Sequence, residues 1–344
     1  MRRHGVVVRS GSVPPRSGTS KSSRFEKMAA QPLFESTDFS GVRAFYSRVV
    51  HEHYGDGSEN ALCQAHDPCT SAHEAVRDSL EIRGKSKGSR RRTYVLAVAY
   101  EGWKLNSFGL QPEGSLSAQN AIEKALRATL GSRPKKLSPA GRTDRGTSAS
   151  CQICSFQSSA PQLNRSLLRE ALHVYSCGAV SLLDICDTVS AFHAQFQAQW
   201  RRYLYLLPMS STLTADVVET IRVALRKLEG RTLDMTAFAR DTPKGKATRC
   251  KAIKVRAGVV SVPDAGRCLA FELVFNRLLR RLARVLVSTT VAEALEGVCY
   301  ENCLVDIAKA EDRLQTAVPA PADGLIFSGV GYSSPSEHEP RVAL

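Results

Sequence analysis

The chain has 344 residues, of which 47 are Lys or Arg and 33 are Asp or Glu, so its formal net charge is +14. That length allows one large domain or two ordinary ones with a substantial core, and no apolar run reaches the roughly 20 residues of a bilayer-spanning helix. The excess positive charge favours a polyanionic partner such as RNA or DNA. The ten cysteines are irregularly spaced and too few for a disulfide scaffold, which predicts reduced thiols.

The N-terminal segment, residues 1–25, is basic and serine-rich, and no acidic residue precedes Glu26. This composition is typical of a mitochondrial transit peptide; a basic tail that contacts RNA is the alternative. We therefore expect a mitochondrial protein, with a cytoplasmic or nuclear location as the alternative. Residues 26–92 follow as an extension with helical potential at 42–50 and 71–82, and they end in a basic linker.

Two groups of cysteines and histidines could suggest redox or metal chemistry. Cys151 and Cys154 have the spacing of a redox CxxC motif, but they fall in a predicted strand, where residues i and i+3 point to opposite faces. A second group has the residue types of a zinc site. Its members are Cys63, His66, Cys69 and His73, with His51 and His53 upstream. Their spacing matches no established zinc pattern, so we predict no metal site.

From residue 93 onwards, strand and helix patterns alternate. Apolar alternation predicts strands at 93–100, 150–156, 179–183, 201–207, 252–260 and 268–275. Helical spacing predicts helices at 117–130, 163–175, 215–228 and 276–296. This alternation in two halves predicts an α+β protein with two lobes, at 93–187 and 188–335, followed by a tail at 336–344.

The most informative segment is the loop Gly141-Arg-Thr-Asp-Arg-Gly-Thr-Ser-Ala149. Gly141 and Gly146 permit backbone angles that other residues avoid, so the loop can turn tightly around Asp144. The guanidinium groups of Arg142 and Arg145 favour an ionised carboxylate beside them. A surface turn with an Asx-type hydrogen bond is the alternative for an aspartate in a glycine-rich loop. The residues alone therefore leave a catalytic role open.

This loop resembles the G-R-T-D-x-G-V-S/H-A signature of TruA-type pseudouridine synthases, in which the aspartate is the essential catalytic residue. Further resemblances follow in the family's order across residues 93–335. They are Tyr100-Glu-Gly-Trp103 with Phe108 and Gln111, Phe192-His-Ala194, Arg201-Arg-Tyr-Leu-Tyr205, Leu228-Glu-Gly230 with Phe238, Asn276–Arg284 and Pro321-Ala-Asp-Gly-Leu325. The first of these is similar to the eukaryotic branch that acts on the tRNA anticodon arm.

The resemblance implies catalytic roles for Asp144, Tyr203 and Arg284, with Arg284 paired to the aspartate and Tyr203 in the active site. The substrate-binding residues expected with them are Arg142, Thr143, Arg145, Arg277, Arg280 and Arg281. The last three fall with Arg284 at helical spacing on the predicted helix 276–296, which indicates an RNA-facing surface. A solvated charged face is the alternative interpretation of this stripe.

The sequence departs from the family pattern at several positions near these motifs. Thr147 replaces a valine and Gln195 an arginine, and the last motif differs at Leu278, Arg281, Leu282 and Val285. These departures leave substrate choice and turnover open rather than the type of reaction.

Making pseudouridine breaks the N1–C1′ bond of a uridine and rejoins the base through C5. No redox change or phosphate transfer occurs, so we expect no cofactor and no metal. The resemblance implies a two-lobed core of mainly antiparallel sheets flanked by helices around a central basic cleft. It also implies RNA as the partner, with tRNA first and ribosomal RNA second, and a homodimer. The alternative is an RNA-binding factor for assembly of the mitochondrial ribosome or another ribonucleoprotein, with little catalysis.

Overall fold

The computed structural model describes residues 30–51, 92–131, 134–159, 163–188, 192–243 and 245–332. The predicted transit segment, the zinc candidate at 63–73, the helix at 71–82 and the tail at 336–344 lie outside these residues. Among the helices within them, none is both long and apolar enough to cross a bilayer.

Seven α-helices and nine strands make up the described fold. The helices are α1 (Ala30–Ser36), α2 (Ser40–His51), α3 (Ala118–Leu130), α4 (Arg165–Tyr175), α5 (Ala215–Arg226), α6 (Leu282–Leu295) and α7 (Cys303–Ala310). The strands are β1 (Arg92–Tyr100), β2 (Lys135–Pro139), β3 (Ser148–Ser158), β4 (Val180–Thr188), β5 (Trp200–Pro208), β6 (Thr232–Asp234), β7 (Arg249–Val262), β8 (Gly266–Phe275) and β9 (Leu325–Gly331).

Local capping chemistry fixes several helix ends where the sequence predicts them. The hydroxyl of Ser117 accepts a hydrogen bond from the N–H of Asn120 at the start of α3, and Gly131 ends that helix with φ of 66°. The side chain of Asn164 accepts from two backbone N–H groups at the start of α4. These are the partners that unpaired helix ends require, and the predicted helices at 117–130 and 163–175 are confirmed to within two residues.

The strands form a single mixed sheet rather than one sheet in each half. Its order is β4-β1-β3-β9-β5-β8-β7-β6, with β2 paired to β3. Every pairing is antiparallel except that of β3 with β9. The predicted α+β class with a mainly antiparallel sheet is confirmed. The finding that the sequence did not predict is that β9 joins the two halves, because it pairs with β3 of the first half and β5 of the second.

Helices α1 and α2 belong to the segment that the sequence analysis placed in an extension before the family-like core. The structure packs them against that core. The rings of Phe34 and Phe39 lie edge-on to Tyr205 of β5, with centroids 6.4 and 6.3 Å away. The buried hydroxyl of Tyr46 donates a hydrogen bond of 2.7 Å to the carbonyl of Gly324. Residues 30–51 are therefore part of the hydrophobic core.

The predicted helix at 276–296 is wrong in its first six residues, because α6 begins only at Leu282. Asn276 is held by the edge of β7 instead: its side chain accepts from the N–H of Lys251 at 2.8 Å, and its own N–H donates to the carbonyl of Lys251 at 3.2 Å. Arg281 adopts a left-handed conformation with φ of 61°. Arg277, Arg280 and Arg281 thus lie in a loop, the arginine loop 276–281, and only Arg284 of the predicted stripe is helical.

Candidate active site

The candidate catalytic loop (residues 140–147, the catalytic loop below) lies between β2 and β3, where β9 brings it next to β5. Ala149 at the start of β3 pairs with Phe327 of β9, and Phe327 pairs with Tyr203 of β5. One register line across three strands therefore connects the loop to Tyr203. Because strand pairing fixes relative position to within a residue, this register sets the distance between the loop and the tyrosine.

Contacts on both sides hold the backbone of the catalytic loop. Gly146 has φ of 84°, and a Cβ added there would lie 2.9 Å from the methyl group of Ala322, so both backbone angle and space require glycine. The buried side chain of Gln152 donates to the carbonyl of Gly141 at 2.5 Å and accepts from its N–H at 3.4 Å. The N–H of Thr147 closes a turn on the carbonyl of Asp144 at 3.2 Å. The loop is therefore held rigid around Asp144.

Two guanidinium groups face the carboxylate of Asp144. Nη1 of Arg284 lies 3.9 Å from Oδ2, and Nε of Arg280 lies 3.8 Å from Oδ1. These distances are within ion-pair range but too long for hydrogen bonds. The cations therefore lie beside the carboxylate and leave its oxygens open to a substrate. The contact between Asp144 and Arg284 is the one that the resemblance implies.

Arg284 is fixed by the segment that precedes β9. Its Nε donates to the carbonyl of Ala320 at 2.5 Å, and its own carbonyl accepts from the N–H of Ala320 at 3.2 Å. Burial lowers the pKa of the Arg284 guanidinium, and the carboxylate of Asp144 acts in the opposite direction. The cation is thus held in place at the start of α6 with its free edge toward Asp144.

Tyr203 lies beneath the loop as a buried neutral phenol. Its ring packs edge-on against Phe327 with centroids 5.0 Å apart. Burial raises the pKa of Tyr203; the guanidinium of Arg201 acts against this, and the charge of Asp144 adds to it. The hydroxyl of Tyr203 lies 3.7 Å from the position of a Cβ on Gly141. Tyr203 therefore presents an uncharged aromatic surface next to the loop.

The other predicted substrate-binding residues of the loop take different positions. Arg142 and Arg145 are exposed on either side of Asp144. Thr143 is buried, and its hydroxyl lies 2.8 Å from the hydroxyl of Tyr100 in a hydrogen bond. The side chain of Thr143 therefore supports the loop from below, whereas the two arginines are accessible to RNA.

The arginine loop is anchored by a carboxylate that the sequence analysis did not single out. Asp241 lies 3.3 Å from Nη1 of Arg280 and 3.9 Å from Nη1 of Arg281. The carbonyl of Arg280 accepts from the N–H of Arg240 at 3.0 Å. Arg280 is thereby shared between Asp241 and Asp144, which orders an exposed cation at the edge of the site.

Arg201 is the residue that connects the loops of the site, and sequence reasoning assigned it no role. Its guanidinium donates to the carbonyls of Ala140, Gln195, Ala198 and Asn276 at distances of 2.7 to 3.2 Å. Burial lowers its pKa, yet an arginine remains charged in proteins. The signal in the sequence was an arginine pair at the start of an apolar strand, where a buried cation needs several acceptors.

Among the described residues, no group of three or more His, Cys, Asp or Glu side chains is arranged to hold a metal ion. Cys151 and Cys154 are both buried, and burial raises the pKa of the Cys154 thiol. A buried thiol of this kind is poorly reactive.

The α+β fold has a mainly antiparallel sheet, and one of its loops carries an aspartate that faces two guanidinium groups. Together these features define a catalytic core of the pseudouridine synthase type. Comparison with curated proteins gives the family. The chain is 31% identical over 262 residues to tRNA pseudouridine synthase A of a Caulobacter species, which covers 70% of this chain and 97% of the relative. It is 27% identical over 253 residues to the protein of that name from Chlorobaculum tepidum, covering 70% and 98%. The chain belongs to the tRNA pseudouridine synthase A family.

A third relative, tRNA pseudouridine synthase A of Lacticaseibacillus casei, is 28% identical over 251 residues, covering 70% of this chain and 99% of the relative. No protein-family model matches the chain. Since the bacterial relatives are covered almost from end to end, nearly a third of this chain extends beyond them.

Proposed function

We propose that this chain is a pseudouridine synthase that isomerises specific uridines in tRNA, with Asp144 as the catalytic residue. The observation that carries the proposal is the Asp144 carboxylate, which lies 3.9 Å from Arg284 and 3.8 Å from Arg280 in a loop whose backbone is hydrogen-bonded by Gln152. Membership of the family supports the type of reaction, because the relatives carry the name tRNA pseudouridine synthase A.

The reaction requires a group that acts where the N1–C1′ bond breaks. An ionised carboxylate can act there as a nucleophile toward the sugar or ring, or as a base that removes a sugar proton. The sugar becomes cation-like as the bond breaks, as in glycoside hydrolysis. A single carboxylate fits a reaction that must retain the base and exclude water. In this proposal Asp144 performs the chemistry and Arg284 orients the carboxylate.

The uridine must leave its base stack to reach Asp144. The buried ring of Tyr203 supplies an aromatic surface against which the extruded uracil can pack. Because burial holds Tyr203 in its neutral form, this contact does not vary with pH in the neutral range. Arg142, which is exposed in the loop, supports the loop or fills the vacated position in the stack.

The arginines around the site suit an RNA backbone. Arg277, Arg280 and Arg281 in the arginine loop, with Arg145 beside Asp144, are placed to contact phosphates. Such contacts release counterions, so RNA affinity falls as salt rises. The net charge of +14 supports the same class of partner.

Finer aspects of the function are also proposals. The resemblance of Tyr100-Glu-Gly-Trp103 to the eukaryotic branch supports the tRNA anticodon arm as the target, ahead of ribosomal RNA. The composition of residues 1–25 supports import into mitochondria, and the family resemblance supports a homodimer. A role in mitochondrial ribosome or other ribonucleoprotein assembly, with little catalysis, is the second candidate, favoured by the departures in the arginine loop such as Arg281.

The test is Asp144→Asn, which keeps the shape of the side chain and removes its charge. We expect pseudouridine formation in tRNA to fall by at least about a thousandfold, since covalent and acid–base catalysis commonly contribute this much. RNA affinity and melting temperature should remain close to those of the parent. Asp187→Asn is the matched control, because Asp187 forms an exposed ion pair with Arg92 on the opposite end of β1 from the loop.

The assembly role predicts a different outcome in cells depleted of the protein. If Asp144→Asn restores growth and ribosome content as fully as the parent while only the parent restores pseudouridine, Asp144 is catalytic but growth depends on the assembly role. If the parent restores growth without forming any pseudouridine, assembly is the function and the catalytic proposal fails. If pseudouridine and growth both depend on Asp144 and neither depends on Asp187, the catalytic proposal holds.

A further inference from the structure

The loop between β4 and β5 exposes an aromatic residue that the proposed chemistry does not use. Phe196 is 79% exposed, more than any other large hydrophobic side chain in the described residues. Its ring stacks on that of His193, with centroids 4.1 Å apart and planes inclined by 24°. Removing a phenylalanine side chain from water is favourable, so an exposed ring at this position can stabilise a bound partner.

The loop holds this aromatic pair in one orientation. Nδ1 of His193 accepts from the N–H groups of Gln195 and Phe196, each at 3.3 Å. Gln197 accepts from the N–H of His193 at 2.8 Å and donates its own N–H to the carbonyl of His193 at 3.1 Å. A ring nitrogen that accepts must be unprotonated. Burial lowers the pKa of His193, a hydrogen bond to its own backbone raises it, and Lys136 lowers it; the net direction is down, which favours the unprotonated ring.

The same loop is tied directly to the catalytic loop. One nitrogen of Arg201, Nη2, donates to the carbonyl of Gln195 at 2.7 Å and to that of Ala140 at 3.1 Å. Nη1 of Arg201 donates to the carbonyl of Asn276 at the start of the arginine loop. Phe196 is therefore displayed one residue from the point where the three loops meet.

Cations lie near this exposed pair. Lys136 is close enough to His193 to lower the pKa of the imidazole, and the guanidinium of Arg201 donates to the carbonyl of Gln195, the residue before Phe196. Exposed aromatic faces beside cations suit unpaired nucleotides, because bases stack on the rings and phosphates contact the cations.

We propose that Phe196, supported by His193, is a stacking platform for an unpaired base of the RNA next to the target uridine. This rests on the proposed function in that it takes RNA as the substrate. The platform contributes to binding and positioning and takes no part in the chemistry at Asp144.

The experiment measures tRNA affinity by filter binding, and kcat and KM for pseudouridine formation, at fixed salt. Phe196→Ala should weaken binding by about tenfold or more, the usual effect of losing one stacked base, and should raise KM while kcat changes less than about twofold. Phe196→Trp should restore affinity, and its added fluorescence relative to the parent should be quenched by RNA. Phe196→Leu, which is apolar but not aromatic, should not restore it.

Val174→Ala is the matched control, because Val174 is 68% exposed on α4, a helix that packs on α3 and β4. The platform is refuted if Phe196→Ala and Val174→Ala bind RNA as the parent does. It is also refuted if Phe196→Ala lowers the sedimenting mass of the protein without changing RNA affinity, since Phe196 would then contact a second copy of the chain. If RNA quenches the added fluorescence of Phe196→Trp while the parent forms no pseudouridine, the platform stands and the proposed reaction is refuted.

Discussion

The catalytic loop and the N-terminal helices α1 and α2 both contact the segment before β9. They differ in how easily their roles can be recognised from the sequence. In the loop, Gly146 fits against Ala322. In the helices, Tyr46 bonds to Gly324 two residues further on. The loop is recognisable because its chemistry demands particular residue types at fixed spacing. The helices need only apolar side chains that fill the surface they cover. Many different sequences can do this, so no particular sequence pattern identifies such helices.

This difference shows that a sequence motif identifies candidate catalytic residues but says little about which other residues hold them in position. Residues 317–324 connect the two regions, because Ala320 holds Arg284, Ala322 contacts the catalytic loop, and Gly324 receives the hydroxyl of Tyr46. Substitutions in each region can show whether the two regions differ in function as much as they differ in sequence signal.

After Asp144→Asn, the largest effect is expected from Arg201→Lys, on the catalytic side of the comparison. Lysine keeps the charge but cannot donate to four carbonyls in the planar geometry of a guanidinium. Because the catalytic loop and the arginine loop would lose their common donor, we expect kcat/KM for pseudouridine formation to fall by about a hundredfold. The fall in kcat/KM should be larger than any loss of folded protein, which the melting temperature of the variant measures. Full activity in this variant would show that the loops hold their positions without Arg201.

The next effect concerns the helices. Phe39→Ala should reduce the free energy of unfolding by about 3 kcal/mol, the usual cost of removing a buried aromatic side chain, since Phe39 is 5% exposed and contacts Tyr205. Chemical denaturation measures it. Phe196→Ala, the same substitution at a position that is 79% exposed, should change stability by less than about 0.5 kcal/mol. Equal changes in the free energy of unfolding for the two variants would mean that the segment 30–51 does not contribute to the core.

A smaller effect is expected from Tyr46→Phe, which removes only the hydroxyl that donates to Gly324. The loss of one buried hydrogen bond should cost about 1 kcal/mol. If residues 317–324 transmit this loss to the active site, kcat should fall two- to threefold with KM for tRNA unchanged. Tyr175→Phe, on the exposed surface of α4, is the control. An unchanged kcat in Tyr46→Phe would confine the helices to a role in stability.

The smallest expected effect is a pH dependence of the stability that the packing of α2 against the core provides. The buried carboxylate of Glu101 contacts Ser47 and His51 of α2, and Lys104. Burial acts to raise its pKa, but the hydrogen bonds from Lys104 and Ser47 outweigh burial and hold the pKa below its usual value of 4.5. A lowered pKa in the folded state adds stability above the unfolded value, and this is lost as pH falls through the folded value.

Below about pH 4.5, the parent should therefore lose more stability than Glu101→Gln, which has no carboxylate to protonate. Denaturant midpoints at pH 7 and pH 4 measure the difference. Parallel loss in both proteins would show that other carboxylates control the acid sensitivity.

Much of the secondary structure could be predicted because its signals are local. Ser117 and Gly131 mark the two ends of α3, and α2 was predicted at 42–50 from its spacing. The short strand β6 has three residues, too few for a periodic pattern to emerge. The arginine loop was predicted as helix because its spacing is helical; the hydrogen bonds of Asn276 to Lys251, which depend on the folded sheet, decide otherwise.

The residues of the candidate site were found by resemblance, and their arrangement was not predictable. No local signal indicates that Phe327 would pair with both Ala149 and Tyr203, because strand partners far apart in the chain are chosen by the whole sheet. For the same reason, Arg201 was visible as part of a motif while its four carbonyl partners were not. Helix α2 illustrates the point most fully, since its pattern predicted a helix but not the surface that it covers, and the short helix α1 was not predicted.

The position of β9 has a consequence for how the protein is made. This strand is the last described element to be synthesised, and it is the one that pairs with both β3 and β5. Until the ribosome has released residues 325–331, the catalytic loop and Tyr203 lack their common neighbour, and Arg284 lacks the carbonyl of Ala320 nearly until then. The candidate site is therefore assembled only after all the described residues have been translated, so an interrupted nascent chain carries the motifs but not the assembled site.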